Sequence, residues 1–172
     1  MSNKISDLFG SASQAFCRVC SAGCCGKLTA VLFTKRDLFA LSQKLGRPPE
    51  TFASIRRHPE SDKHMWQMIL NTDGYCTFLT SEKRCSIYSF RPLDCRLYPL
   101  DVTYENGKFY WIVYAYDRCK LSQSCSFEDS IVKAEKTILP HFSKDELMLY
   151  ATDDDAAPPA EYKIIREINV RE

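Results

Sequence analysis

Net charge is almost absent: 23 Lys and Arg stand against 22 Asp and Glu, a formal +1 over 172 residues. That balance leaves no electrostatic footprint for nucleic acid and no polybasic segment for a membrane surface. Long apolar runs are missing too. Nothing approaches the ~20 residues of a spanning helix, and the opening MSNKISDLFGSASQAF lacks the continuous apolar core of a secretory signal. The expectation is a cytoplasmic protein with no membrane and no nucleic-acid partner. Histidine is scarce, with three residues. His58 and His64 lie in a polar stretch and His141 follows a proline, so solvated or capping roles suit them better than ligation. There is no glycine-rich phosphate loop, no defensible Ser/His/Asp order, no methyl-donor motif and no internal repeat. The 45% hydrophobic and 26% charged composition suits one compact globular domain, and the length suffices to bury a core.

Cysteine is what the chain has in excess: nine residues. In a reducing cytosol so many thiols rarely form a disulfide framework, and an odd count leaves one over in any full pairing. Thiolate ligation of a metal is the leading reading. Burial of the thiols as small hydrophobes is the bland alternative, and their clustering argues against it.

The apolar and capping patterns predict a single α+β domain, with short helices and two β-hairpins around a cysteine-lined metal site. A short helix is expected within residues 1–16 and a β-rich run over Leu28–Phe33. Thr34 then reads as an N-cap with Asp37 at the third helical position, Leu38, Leu41 and Leu45 share a face, and Gly46 supplies the stop. Pro48, Pro49 and Glu50 open a second short helix through Ile55. Trp66–Leu70 and Tyr75–Leu79 flank a turn at Asn71–Gly74, and Leu100–Glu105 and Lys108–Tyr116 flank Asn106–Gly107, the stronger hairpin signal. Phe109, Trp111 and Val113 alternate with Tyr110, Ile112 and Tyr114, so both faces of that strand suit a core. Phe127–Leu139 reads as a helix ended by Pro140, and Ser143 with Glu146 as a capping box for another. Residues 1–150 form the cysteine-cluster metal-binding domain. Residues 151–172 form an acidic, proline-containing linker and a C-terminal segment, in which Ile164, Ile165 and Ile168 place an apolar stripe on a helix that docks back.

The first cysteine group is Cys17-x2-Cys20-x3-Cys24-Cys25-Gly26. Two residues between cysteines let one tight turn aim both sulfurs at one metal. The adjacent Cys24 and Cys25 diverge, so one of them serves a second metal or a bridge, with a strained vicinal disulfide as a minor alternative. The second group is Cys76-x8-Cys85-x9-Cys95. Its spacings are too wide for a knuckle, so each sulfur comes from its own loop or strand end and only the fold makes them converge. Cys119 and Cys125 are late ligand candidates, Cys119 the stronger because it follows a strand end closely.

The first group, followed by Cys76-x-x-Leu79 and by Cys85-x-Ile87-Tyr88-x-x-Arg91-Pro92-x-x-Cys95-Arg96-x-Tyr98-Pro99, resembles the YkgJ-type cysteine-cluster family over about residues 17–119. The family is described as a zinc- or iron-chelating domain and includes flagellin lysine N-methylases. This chain departs from the usual first motif, with Ser21, Ala22 and Gly23 between Cys20 and Cys24 where two residues are usual. The resemblance implies metal binding through Cys17, Cys20, Cys24, Cys25, Cys76, Cys85, Cys95 and Cys119, with a cluster-dependent protein lysine N-methylase as an alternative function. A zinc-stabilised interaction module is a further alternative, and a protein or redox partner is expected but not identified. The thiolates suit two four-thiolate zinc sites, one cubane with spare cysteines, or two clusters. Closed zinc sites favour short paired spacings, and this chain has one such pair, which tilts the choice between an iron–sulfur cluster and zinc toward iron–sulfur. Arg91 and Arg96 are candidates to donate to thiolates, sulfides or a substrate carboxylate, or to pair with Asp94 or Asp101. Tyr88 and Tyr98 read as packing anchors.

Overall fold

In the computed structural model, which describes residue 8, residue 25 and residues 31–58, 62–114, 121–122, 127–152 and 162–169, the first helix starts where its capping residues require. The Thr34 hydroxyl accepts from the Asp37 N–H at 3.1 Å, and the Asp37 carboxylate accepts in return from the Thr34 N–H at 3.2 Å. Helix α1 (Lys35–Leu45) follows, and Gly46 ends it at φ 64° with its N–H on the Ser42 carbonyl. An L side chain is strained in that left-handed conformation and glycine is not. Leu38 and Leu41 are buried on the face that the spacing predicts.

Of the run 28–33, strand β1 is Leu32–Phe33; residues 28–30, like the short helix expected within 1–16, lie outside the described residues. The helix expected from Pro48 to Ile55 is not formed. A 3-10 turn covers Pro49–Thr51, and strand β2 (Ala53–Arg57) takes over. Strand β3 (His64–Met68) pairs antiparallel with β2 on one side, from Ala53↔Met68 to Arg57↔His64, and with β1 on the other. Pairing with β3 satisfies the β2 backbone groups on that side, and an extended backbone suits β-branched Ile55 better than a helix.

The first predicted hairpin is also corrected. The Asn71 side chain accepts from the Asp73 N–H at 3.1 Å and the Tyr75 N–H at 2.9 Å, and the turn forms, with Gly74 at φ 78°. No strand follows. Both edges of β3 are already occupied, so 75–79 makes single bridges, Leu70↔Cys76 and Leu79↔Cys85, in place of a ladder.

The second hairpin forms as expected. Strands β4 (Leu100–Glu105) and β5 (Lys108–Tyr114) pair around Asn106 at φ 51° and Gly107 at φ 81°, the positive-φ pair of a type I′ turn. Between the two sheets lie a 3-10 turn, Tyr88–Phe90, and a five-residue helix α2, Leu93–Leu97. Helices α3 (Glu128–Thr137) and α4 (Lys144–Ala151) follow, separated by a 3-10 turn at Leu139–His141. The capping box at α4 is made by Ser143 and Glu146.

The C-terminal segment is a strand rather than a helix. Strand β6 (Tyr162–Ile168) runs antiparallel to β5, with a register shift between Trp111 and Ile112 that leaves Ile165 as the extra residue. Ile168 enters the core while Ile164 is 43% exposed. The open edge of β5 offers a full ladder of backbone partners, which a helix laid on the sheet would leave unpaired. The linker residues 153–160 lie outside the described residues.

Two apolar cores lie on opposite faces of the β1–β3–β2 sheet. Phe33, Leu38, Leu41, Phe52, Met68, Cys76, Phe78 and Ile87 form one. Leu32, Met65, Leu93 and Leu97 join Trp111, Ile131, Ile138 and Leu147 in the other, larger one. The two-residue strand β1 thus sends one side chain to each core, as the alternation of a strand dictates. Ile112 and Tyr114, on the opposite face of β5 from Trp111, are buried as well.

Candidate metal centre

Two cysteines far apart in sequence meet through their backbones: the Cys76 N–H donates to the Cys25 carbonyl at 3.0 Å. The contact follows from the Asn71 turn, which reverses the chain after β3 and delivers Cys76 to the bridge with Leu70. The next loop closes between Thr80 and Arg84, with the Thr80 N–H on the Arg84 carbonyl at 2.8 Å, and returns Cys85 to Leu79. Cys76 is 8% exposed within the smaller core, and Cys25 and Cys85 are half-buried against that same core. One apolar cluster therefore supports the end of the first cysteine group and the first two members of the second.

The environment of Cys76 is specific. Its thiol donates to the Met68 sulfur at 2.9 Å, and its sulfur accepts from the Phe78 N–H at 3.4 Å. Cysteine ligates a metal as the thiolate. Donors of this set are soft, which fits zinc, iron or an iron–sulfur cluster and not an oxygen-seeking cation.

Cys95 arrives from another direction, half-buried on α2 within the Arg91–Pro99 run. Among the described residues, no three His, Cys, Asp or Glu side chains are grouped so as to hold a metal ion. Cys17, Cys20, Cys24, Cys119 and Cys125 lie outside the described residues, so the predicted ligand set is seen through Cys25, Cys76, Cys85 and Cys95. The histidines have other settings: a His58 ring nitrogen is 2.9 Å from the Thr152 hydroxyl, His64 is exposed, and His141 bonds Arg36.

Beside Cys95 stands a set of carboxylates, Asp37 buried and Asp94 and Asp101 half-buried. Asp94 Oδ2 accepts from the Leu32 N–H at 2.8 Å, and Asp94 Oδ1 from the Tyr150 hydroxyl at 2.9 Å. Asp37 reaches past its own helix cap and accepts from the Leu93 N–H at 3.1 Å. Asp101 accepts from the Tyr114 hydroxyl at 2.6 Å. Burial, reinforced by the neighbouring Asp101 charge, pushes the Asp94 carboxyl up to about 8. Burial likewise raises Asp37 against the hydrogen bonds from Thr34, and it raises Tyr150, whose phenol also faces Asp101 and Asp94. Asp94 is thereby the one of these carboxyls placed to keep its proton at neutral pH, where an exposed carboxylate would release it.

The motif side chains flank this region. The Arg91 guanidinium sits 3.9 Å from the centre of the Tyr88 ring, and Tyr98 stacks on Tyr114 at 6.1 Å, consistent with the packing role expected of both tyrosines. Sequence reasoning treats Asp94 only as a partner for the arginines and gives Met68 and Tyr150 no role at the site. Asp94 meets Leu32 and Tyr150 at separations of 62 and 56 residues, Met68 meets Cys76 only across the Asn71 turn, and no periodic signal marks them. Thr34 and Asp37 do carry a local signal, the capping box, but it does not reveal that Asp37 has a second partner in Leu93.

The chain is 34% identical over 86 residues to an uncharacterized protein of Methanocaldococcus jannaschii, a match that spans 49% of this chain and 44% of that relative's length. No solved structure matches the chain. The model of the family described as "CxxCxxCC: Putative zinc- or iron-chelating domain" matches residues 16–129, a span holding all nine cysteines, both bridges that position Cys76 and Cys85, and the helix that carries Cys95. With well over half of its length inside that match, and with Cys76 of the second cysteine group hydrogen-bonded through its backbone to Cys25 of the first, the chain belongs to this cysteine-cluster family of zinc- or iron-chelating domains.

Proposed function

We propose that this chain is a cytosolic metal-binding protein whose centre is ligated by thiolates drawn from Cys17, Cys20, Cys24, Cys25, Cys76, Cys85, Cys95 and Cys119, and that the group held is an iron–sulfur cluster, with zinc as the competing occupant. The observation that carries this reading is the Cys76 to Cys25 backbone bond at 3.0 Å, which joins one cysteine of each group on an apolar support that Cys85 shares. An iron–sulfur cluster would supply one-electron transfer at this place, and zinc would supply folding free energy without redox change. The protein residues hold the sulfurs, and the Phe33, Phe52 and Phe78 core beneath them keeps water from one side of the centre. A redox-active centre calls for a protein partner that donates or accepts the electron. Among the described residues no helix is long and apolar enough to cross a membrane.

Purification without oxygen, metal analysis and a visible spectrum test the proposal together. The expected protein is brown, with broad absorption that bleaches on reduction with dithionite. A colourless protein with stoichiometric zinc overturns the iron–sulfur and redox readings and leaves a zinc-stabilised module. A folded protein that takes up neither metal overturns the metal-binding function itself.

A further inference from the structure

Helix α2 is too short to fix its own direction. Five residues, Leu93–Leu97, make little more than one turn, and isolated helices of that length are unstable in water. Its N-cap is Pro92, which makes no side-chain cap bond. What orients the turn is a set of contacts from elsewhere in the fold. Asp37 on α1 takes the Leu93 N–H at 3.1 Å. Leu93 and Leu97, 3% and 0% exposed, pin one face of the turn to the larger core. Asp94 fixes the rotation about that face, because its two oxygens are held from two different elements: Leu32 on β1 at 2.8 Å and Tyr150 on α4 at 2.9 Å. Leu32 and Tyr150 both pack in that larger core, while the next residue of β1, Phe33, belongs to the core under Cys25, Cys76 and Cys85.

The geometry points to Asp94 as the positioning residue for Cys95: by clamping α2 against β1 and α4 it aims the Cys95 sulfur at the thiolate centre. The inference rests on the reading of Cys95 as a ligand. In a helix each residue turns by about 100°, so Cys95 lies roughly opposite the Leu93–Leu97 face, and any roll of the turn about that face sweeps its sulfur sideways. Metal sites tolerate about 0.2 Å in ligand distance, and a roll of the unclamped turn exceeds that. Tyr150, whose hydroxyl donates to Asp94 Oδ1 at 2.9 Å, becomes part of the same device.

The test uses Co(II) titration of the full chain, reduced and stripped of metal, read by the sulfur-to-cobalt charge-transfer band, beside thermal melts of the same samples. Asp94→Ala is expected to weaken Co(II) binding by about 10- to 100-fold, the range for residues that orient a ligand. Asp94→Asn keeps an acceptor for Leu32 and a polar group for Tyr150, and is expected to restore most of the affinity. In a Cys95→Ala background, Asp94→Ala is expected to cause no further loss, because a residue that acts through Cys95 has nothing left to position. An equal loss with and without Cys95 makes the effect merely structural and overturns the inference, as does wild-type affinity in Asp94→Ala. If Asp94→Ala does not fold, Tyr150→Phe carries the same comparison: weakened binding that vanishes in the Cys95→Ala background supports the clamp, and unchanged binding overturns it. A wild-type chain that binds no Co(II) overturns the ligand reading and the clamp with it. Failure of the clamp alone leaves wild-type binding intact, so the two failures are distinct.

Discussion

Single side chains decide how the helices of this protein are joined to one another. Glu146 shows how. Its carboxylate accepts from the Ser143 N–H at 3.1 Å, from the Ser143 hydroxyl at 2.9 Å and, across the fold, from the Lys35 N–H at 3.0 Å. Partial burial would raise this carboxyl, but those bonds outweigh burial and hold it below its ordinary value of 4.5. A carboxyl lowered in the folded state contributes stability that is complete above its unfolded pKa and is lost as pH falls through the folded value. Glu146→Gln is therefore expected to melt below wild type near pH 7, and the gap should close as pH falls below 4.5 and the wild-type carboxyl protonates too. Melting curves across that range check it, and a gap that stays constant would assign the loss to shape rather than charge. The Ser143–Glu146 box is plain in the sequence; the reach to Lys35, at the head of α1, is not.

Elements are legible to different degrees, and strand β6 is the clearest case of the sequence pointing two ways. Ile164, Ile165 and Ile168 align on one face of a helix, yet in the strand Ile168 is 5% exposed and Ile164 43% exposed. Truncation separates the two arrangements. In the strand, Ile168→Ala is expected to cost about 2–5 kcal/mol, as large-to-small changes in a core do, and Ile164→Ala less than about 1 kcal/mol. Denaturant midpoints measure both, and similar costs at the two positions would favour the helical stripe. Helices α1 and α4 are legible because their caps are local, made between residues three apart. The 75–79 segment is not, because whether it pairs depends on the edges of β3, which are occupied from outside the segment by β1 and β2.

At the scale of the whole molecule the two cores should answer differently to metal. Cys25, Cys76 and Cys85 rest on the core of Phe33, Phe52 and Phe78, whereas Trp111, Ile131 and Ile138 lie in the other. If ligation contributes to folding free energy, chelation should loosen the first core more than the second. Hydrogen exchange is expected to speed up in β1, β2 and β3 on metal removal, while β4 and β5 change far less. Uniform loss of protection would mean that the cores open as one unit.

The sequence by itself determined the chemistry: the abundance and grouping of cysteine, the soft donor set, the α+β class, the Asn106–Gly107 hairpin and the caps of α1 and α4 are all carried by composition or by residues within a few positions of one another. Tertiary structure alone decided what lies between distant residues. It placed Cys76 on the Cys25 carbonyl, set Met68 against the Cys76 sulfur, made strands of 53–57 and 162–168, and put Asp94 between Leu32 and Tyr150. The reason is physical. Caps and turns are satisfied by hydrogen bonds within one short stretch of chain, so local sequence specifies them. Strand pairing and buried polar contacts take their partners from wherever the cores bring chain segments together, and that is set by packing of the whole fold.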